Sequence, residues 1–307
     1  MSIPFFFEFW YLEYNMKGMT VRMDCSILWK QRKDRDTMRR GMPMIFGLIR
    51  PLVIYYVGYY LTRMVVGTLL AGSGIDFLME QGSPFVNGIA MLGGCMGLLP
   101  LIGEEAEEQR KEKRERDKDG IKGKNMILSY LALSLFAVAS AVFFNTLVSF
   151  LGLAGHSGAF QETARRQYGV SLGMGLLLYA GVSPVVEEVV FRYLLCNRLR
   201  RAQGRAAFGV VASAFLFAVY HGNIVQGVYA FILGVLIACA YSYFESFLAP
   251  VLFHGLGNAV VFLSNMIPDL YEIVFSPLMF WIFGLITAAG CLYVAKTQGS
   301  KKQNSDR

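Results

Sequence analysis

Eight long apolar segments occupy most of this 307-residue chain, and they constrain its fold more than any other feature. Apolar runs of about 20 residues with few charges are typical of helices that cross a bilayer. The sequence therefore predicts an all-α fold, a polytopic transmembrane bundle of about eight spans. The predicted spans are residues 44–70, 84–101, 125–153, 169–195, 206–221, 224–243, 247–264 and 274–295.

Composition argues against a soluble protein with a large core and against a nucleic-acid-binding protein. Hydrophobic residues make up 55% of the chain, and charged residues only 17%. The net charge of +7 does not indicate a nucleic-acid partner, because most basic residues lie in loops and tails between the spans. The five cysteines are scattered, with no metal-ligand or disulfide spacing. We interpret them as small buried hydrophobic residues.

The distribution of Lys and Arg predicts the orientation of the chain in the membrane. Basic clusters precede the first span, lie in the 104–124 connection, and follow the fourth and eighth spans. The connections 71–83 and 265–273 contain no Lys or Arg. Since the clusters fall on alternate connections, we expect a multi-pass protein of the cell membrane with both termini in the cytoplasm.

The predicted organisation has four parts. They are a cytoplasmic N-terminal tail (1–43), two transmembrane helices with a charged cytoplasmic loop (44–124), a core (125–296) and a cytoplasmic C-terminal tail (297–307). The N-terminal tail has two open interpretations: translation starts at a later methionine, or the tail is an interfacial amphipathic segment. The 104–124 loop carries eight basic and eight acidic residues, and we expect a solvated helix or a flexible linker.

Ionisable residues stand inside the fourth apolar segment. A charge at bilayer depth costs at least about 2.5–3.5 kcal/mol, and such a residue usually faces a cavity or a partner. Glu188 and Arg192 are four residues apart, so they share a helix face and can pair. Glu187 lies about 100° round the helix, and we expect its partner elsewhere in the chain. Pro184 removes a backbone hydrogen bond, and we expect a kink there that opens a cavity.

Two of the three histidines also lie inside apolar spans. His221 ends the fifth segment, and His254 shares a helix face with Asn258, four residues later. Counting about 1.5 Å per residue from the basic helix ends places these groups around the middle of a core about 30 Å thick. Three spans are therefore predicted to form one site from Glu187, Glu188, Arg192, His221, His254 and Asn258.

The chemistry of these groups suits attack by water on an amide. A carboxylate and a histidine together activate water as a general base. A second histidine and an asparagine donate hydrogen bonds to an oxyanion. Alternatively, two histidines and a glutamate hold a zinc ion that activates the water. A proton-coupled transporter and a non-catalytic membrane scaffold would use the same buried carboxylates, and both remain open at this point.

At these positions the sequence resembles the CPBP intramembrane proteases, the family with the type II CAAX prenyl endopeptidases and the bacteriocin-processing Abi proteins. Its Glu-Glu-x-x-x-Arg motif is matched by residues 187–192, Phe-x-x-x-His by 217–221, and His-x-x-x-Asn by 254–258. The resemblance covers roughly residues 175–262. One departure is Tyr193, since a glycine often follows the motif arginine.

The resemblance implies an intramembrane endopeptidase that acts on a peptide or protein at the lipid bilayer. It implies that Glu187 and His221 activate water, and that His254 and Asn258 bind the oxyanion. Glu188 and Arg192 would organise their helix. Metallo and glutamate mechanisms both fit the motif, and a zinc ion, if present, would be bound by Glu187, His221 and His254. The family does not specify the substrate, which need not be prenylated.

Overall fold

The structure is a computed structural model that describes residues 15–16, 19–20, 49–72, 82–116, 126–153 and 155–305. The chain divides into two compact units, Met1–Ile49 and Arg50–Arg307. In the first unit, Asn15–Met16 pairs antiparallel with Met19–Thr20. The other residues of the predicted tail, 1–43, lie outside the described residues.

The described part of the second unit is mainly helical, and each of the eight predicted apolar segments lies largely in helix over its described residues. These helices are α1 (Ile49–Ala71), α2 (Gly82–Met96), α3 (Leu99–Arg116), α4 (Met126–Phe150), α5 (Gly158–Tyr168), α6 (Leu172–Gln203), α7 (Ala206–Tyr220), α8 (Ile224–Phe244), α9 (Leu248–Met266), α10 (Pro268–Val274) and α11 (Pro277–Ser305). The prediction of an all-α membrane bundle is confirmed. The last helix continues beyond residue 296, into the predicted C-terminal tail.

The number of spans depends on how two short segments are counted. Within the described residues, six helices are long and apolar enough to cross a membrane: α1, α4, α6, α8, α9 and α11. Helices α2 and α3 meet at a 55° bend, and together they make a seventh candidate. Helix α7 has 15 residues and falls below the length of a full span. The count of eight therefore stays a prediction.

Helix α6 is π-helical on both sides of a central α-helical stretch. The π-helical turns are Leu176–Val182 and Val189–Cys196, and Ser183–Glu188 lies between them. Pro184 has no N–H to donate to the carbonyl of Ala180, four residues earlier. The structure meets this constraint with wider turns, and α6 continues through Pro184 without a break.

Helix α9 lies against α4, α6 and α8, and it carries part of the hydrophobic core. The core residues are Leu133 and Ala137 from α4, Leu233, Ile237 and Ala240 from α8, and Ala249 and Phe253 from α9. Two glycines allow close approach on α9: a Cβ on Gly257 would lie 3.1 Å from Ala141, and one on Gly255 would lie 2.8 Å from the Ala180 oxygen. Close packing therefore brings α9 directly against α4 and α6.

Helix α3 corrects the prediction of a fully solvated 104–124 segment. Its inward face contains Glu105, which is 1% exposed and forms an ion pair with Arg201 near the end of α6. Gln109 donates to the hydroxyl of Tyr241 in α8, 3.2 Å away. The other face matches the prediction, since Lys111 is exposed there. The described part of the segment is a helix with one packed face, and residues 117–124 lie outside the described residues.

Candidate active site

Glu188 and Arg192 form the buried ion pair that their spacing predicts. Both side chains are 0% exposed, and Arg192 Nη1 donates to Glu188 Oε1 over 2.9 Å. Arg192 Nη2 donates to the carbonyl of Gly234 in α8, 3.1 Å away, and the guanidinium carbon lies 4.4 Å from the ring centre of Phe217. Because this arginine of α6 contacts both α7 and α8, it fixes α6 relative to those two helices.

His254 contacts both glutamates, although the sequence paired it only with Asn258. Its Nδ1 lies 2.8 Å from Glu188 Oε1. Since an ionised carboxylate only accepts hydrogen bonds, this nitrogen carries the proton and donates. Its Nε2 lies 3.8 Å from Glu187 Oε2, which is longer than a hydrogen bond. The His254 ring therefore lies between the two glutamates: it is hydrogen-bonded to Glu188 and only close to Glu187.

The Glu188 carboxylate receives two donors on one oxygen. Oε1 accepts from both Arg192 and His254. The second oxygen, Oε2, is buried without a hydrogen bond among the described residues, and so is Arg192 Nε. The Glu188 carboxylate is thus held in place by donors from α6 and α9.

Glu187 has a different environment from its neighbour. Its side chain is 6% exposed, and Ser183 Oγ donates to Oε1. Ser183 is a local partner that sequence reasoning missed, although the four-residue spacing placed it on the same helix face. The sequence predicts that the partner of Glu187 comes from elsewhere in the chain. Among the described residues, the group from another helix that comes within ion-pair distance is His254, whose Nε2 lies 3.8 Å away.

His221 lies just beyond the last residue of α7. Its Nδ1 lies 2.8 Å from the carbonyl oxygen of Phe217, so Nδ1 is the donor and Nε2 is the acceptor of the neutral ring. The ring packs edge-to-face on Phe217, with centres 4.7 Å apart. It is also within electrostatic range of Glu187 and His254. A second imidazole, at the end of a third helix, therefore lies near Glu187 and His254.

Asn258 binds α6 at a different position from His254. Its amide Nδ2 donates to the carbonyl of Tyr179 over 2.9 Å, and Tyr179 lies in the first π-helical turn of α6. This bond engages one of the two amide N–H groups and ties α9 to that turn. Asn258 is thus one helical turn from His254 but is bound to a different part of α6.

The zinc alternative assigns Glu187, His221 and His254 as metal ligands. Over the residues that the structure describes, no group of three His, Cys, Asp or Glu side chains is placed to hold a metal ion. This includes the predicted set Glu187, His221 and His254. One nitrogen of each histidine is already engaged, His221 with a carbonyl and His254 with Glu188.

The comparisons with known proteins identify the segment that carries this site. Residues 169–260 match the family model described as type II CAAX prenyl endopeptidase Rce1-like. Searches of the curated proteins and of the solved structures found no match. The matched segment includes all three motifs, and helices α6 to α8 and much of α9 build it. The segment that contains the candidate site, residues 169–260, is therefore similar to the Rce1-like type II CAAX prenyl endopeptidases.

Proposed function

We propose that this protein is an intramembrane endopeptidase in which Glu187 and His221 activate water for hydrolysis of a peptide bond. One observation carries the proposal: two adjacent glutamates have separate environments. Glu188 is enclosed by Arg192 and His254, while Glu187 accepts from a neutral hydroxyl and faces an unbonded imidazole nitrogen. Paired carboxylates in contrasting environments take different roles in catalysis.

In the proposed reaction, Glu187 and His221 together take the proton of the attacking water. The acceptor Nε2 of His221 suits this role, because Nδ1 is held as donor by the Phe217 carbonyl. The water oxygen bonds to the scissile carbonyl carbon, and the carbonyl electron pair moves onto oxygen. Collapse of this intermediate breaks the carbon–nitrogen bond, and the proton passes to the leaving amine.

His254 is the proposed first donor to the oxyanion. Its Nδ1 donates to Glu188, so Nε2 can donate only when the ring carries both protons. Asn258 is the proposed second donor, through the amide N–H that does not bind Tyr179.

The proposed mechanism uses a water molecule and no metal. The arrangement of the described side chains supports this choice, since no three His, Cys, Asp or Glu groups among them are placed to hold a metal ion. Asn258 also supports it, because an amide is a good donor to an oxyanion and an uncommon zinc ligand. Zinc bound by Glu187, His221 and His254 is the alternative that elemental analysis decides.

The proposed substrate is a membrane-associated protein or peptide. The matched family's description names prenylated CAAX proteins, so a lipidated protein is the first substrate class to test. The proposed location is the cell membrane, with both termini in the cytoplasm, on the basis of the alternating Lys and Arg clusters.

Peptide cleavage by the purified full-length protein tests the proposal. The substrates are matched peptide libraries, one prenylated and one not, and Glu187→Gln is the control variant. We expect the wild-type protein to cleave and the variant to be inactive while remaining folded. A folded wild-type protein that cleaves neither library would contradict the proposal. Proton-coupled uptake in liposomes, which Glu187→Gln abolishes, would instead favour a transporter.

A further inference from the structure

Helix α1 contributes a buried tyrosine next to the site, although it lies outside the matched segment. Tyr55 is 2% exposed, whereas Tyr60 and Met64 on the same helix are 61% and 63% exposed. The Tyr55 hydroxyl lies 3.3 Å from the hydroxyl of Tyr220. The two hydroxyls therefore form an interhelical hydrogen bond between α1 and α7, away from water.

This hydrogen bond is at the end of α7 that carries His221. Tyr220 is the last residue of α7, and the chain turns at Gly222, which has φ +71°. Helix ends fray because their last carbonyls lack intrahelical partners. The Phe217 carbonyl that orients His221 belongs to this last turn. The orientation of the His221 ring thus depends on how firmly the end of α7 is held.

Aromatic packing connects the same tyrosine to both histidines. The ring centre of Phe191, in α6, lies 5.4 Å from Tyr220 and 5.2 Å from Phe217. Phe217 in turn packs edge-to-face on His221 and on His254, at 4.7 and 5.6 Å. Phe191, Phe217 and Tyr220 therefore form an aromatic wall. His221 packs on both Phe217 and Tyr220, with its ring centre 5.8 Å from that of Tyr220, and His254 packs on Phe217.

Both phenols are also within electrostatic range of the Glu187 carboxylate. The pair therefore lies near the proposed base, and Tyr220 is the residue directly before His221. Tyr55 comes from α1, which the family match does not include. The matched segment alone therefore lacks the hydrogen-bond partner of Tyr220.

We propose that Tyr55 and Tyr220 are positioning residues whose hydroxyl–hydroxyl bond holds His221 in the orientation that accepts the proton of water. The inference rests on the proposed function, since it assigns a role toward the proposed base. Without this bond the last turn of α7 loosens, and the His221 ring leaves its productive orientation. Substrate binding is not expected to involve the pair, so the loss appears in kcat rather than in KM.

Hydroxyl deletions in the full-length protein test this role. Tyr55→Phe and Tyr220→Phe keep both rings and remove one hydroxyl each. We expect each to lower kcat about 10-fold with KM nearly unchanged, because small displacements of catalytic groups reduce turnover steeply. The double variant should match the single variants, since all three lack the same bond. Tyr56→Phe is the matched control, because its ring contacts Tyr220, with centres 6.2 Å apart.

The outcomes separate this inference from the proposed function. If the wild-type protein cleaves, Glu187→Gln does not, and the Tyr55 and Tyr220 variants keep full kcat, only the positioning role is overturned. Additive losses in the double variant, or an equal loss in Tyr56→Phe, overturn it as well. A wild-type protein without cleavage overturns both. The thermal unfolding midpoint identifies a misfolded variant, and Tyr55→Phe and Tyr220→Phe each test the role separately.

Discussion

The carbonyl oxygen of Ala180 faces Gly255 so closely that a Cβ on Gly255 would lie 2.8 Å from it. Ala180 is four residues before Pro184, in the first π-helical turn of α6. Hydrogen bonds of the site lie next to this contact: His254 binds Glu188, and Asn258 binds the carbonyl of Tyr179. The close approach of two backbones therefore sets the distance between the glutamate helix and the histidine helix.

Gly255→Ala should separate these helices. The added methyl group meets backbone rather than a flexible side chain, so α9 must shift, and we expect a loss of about 1–3 kcal/mol in the free energy of unfolding. The shift also lengthens the His254–Glu188 bond, so cleavage should fall. Unfolding in detergent and turnover measure the two effects. Gly103→Ala is the control, since a Cβ there meets nothing within 4 Å. Unchanged stability in Gly255→Ala would contradict the argument.

The two glutamates should separate stability from activity. Glu188→Gln or Arg192→Ala leaves a charge buried without its partner, and we expect a loss of about 3–5 kcal/mol in stability. Glu187→Gln leaves no such charge, because its bonded partner is the Ser183 hydroxyl. It should abolish hydrolysis with little loss of stability. Thermal unfolding and peptide cleavage measure the difference, and equal destabilisation by both glutamate variants would disprove it.

Removing Arg201 should lower the free energy of unfolding more than removing Glu105, its partner in the ion pair between α3 and α6. Arg201→Ala leaves Glu105, 1% exposed, without its charged partner, and we expect a cost of about 3 kcal/mol. Glu105→Gln should cost less, because Arg201 is 29% exposed and also contacts Glu112. Glu108→Gln, on the exposed face of α3, is the control. Chemical denaturation measures all three, and the reverse order would refute the prediction.

The residual activity of Asn258→Ala and the zinc content of the protein should distinguish the metal-free mechanism from the zinc mechanism. Loss of one oxyanion donor typically costs about 10²–10³-fold in turnover, so Asn258→Ala should keep measurable cleavage. The purified active protein should carry substoichiometric zinc. Elemental analysis checks this directly. One tightly bound metal per chain, lost together with activity in both His221→Ala and His254→Ala, would establish the metal mechanism instead.

Cysteine labelling should test the predicted topology. In a background without native cysteines, a cysteine at Ser73 should react from outside the membrane and one at Lys118 from the cytoplasm. The reason is the absence of Lys and Arg from the 71–83 connection and their abundance in 104–124. Membrane-impermeant reagents applied to intact cells and to inverted vesicles separate the two sides. Labelling of both positions from one side would rule out this topology.

Local features of the sequence were sufficient to predict the helices and one buried contact. Long apolar runs indicate helices because a chain in lipid must hydrogen-bond its own backbone. The Glu188–Arg192 pair was predictable because residues four apart meet on one helix face. Ser183 and Glu187 follow the same rule, so this contact was also available from the spacing.

Only the tertiary structure decided which groups from different helices meet. The bond between His254 and Glu188 joins positions 66 residues apart, and the Tyr55–Tyr220 bond joins positions 165 apart. Such contacts depend on how helices pack, and packing is set by the summed shapes of many side chains and by glycines such as Gly255. The sequence could therefore name the candidate residues of the site, while their partners followed from the packing of α1, α6, α7 and α9.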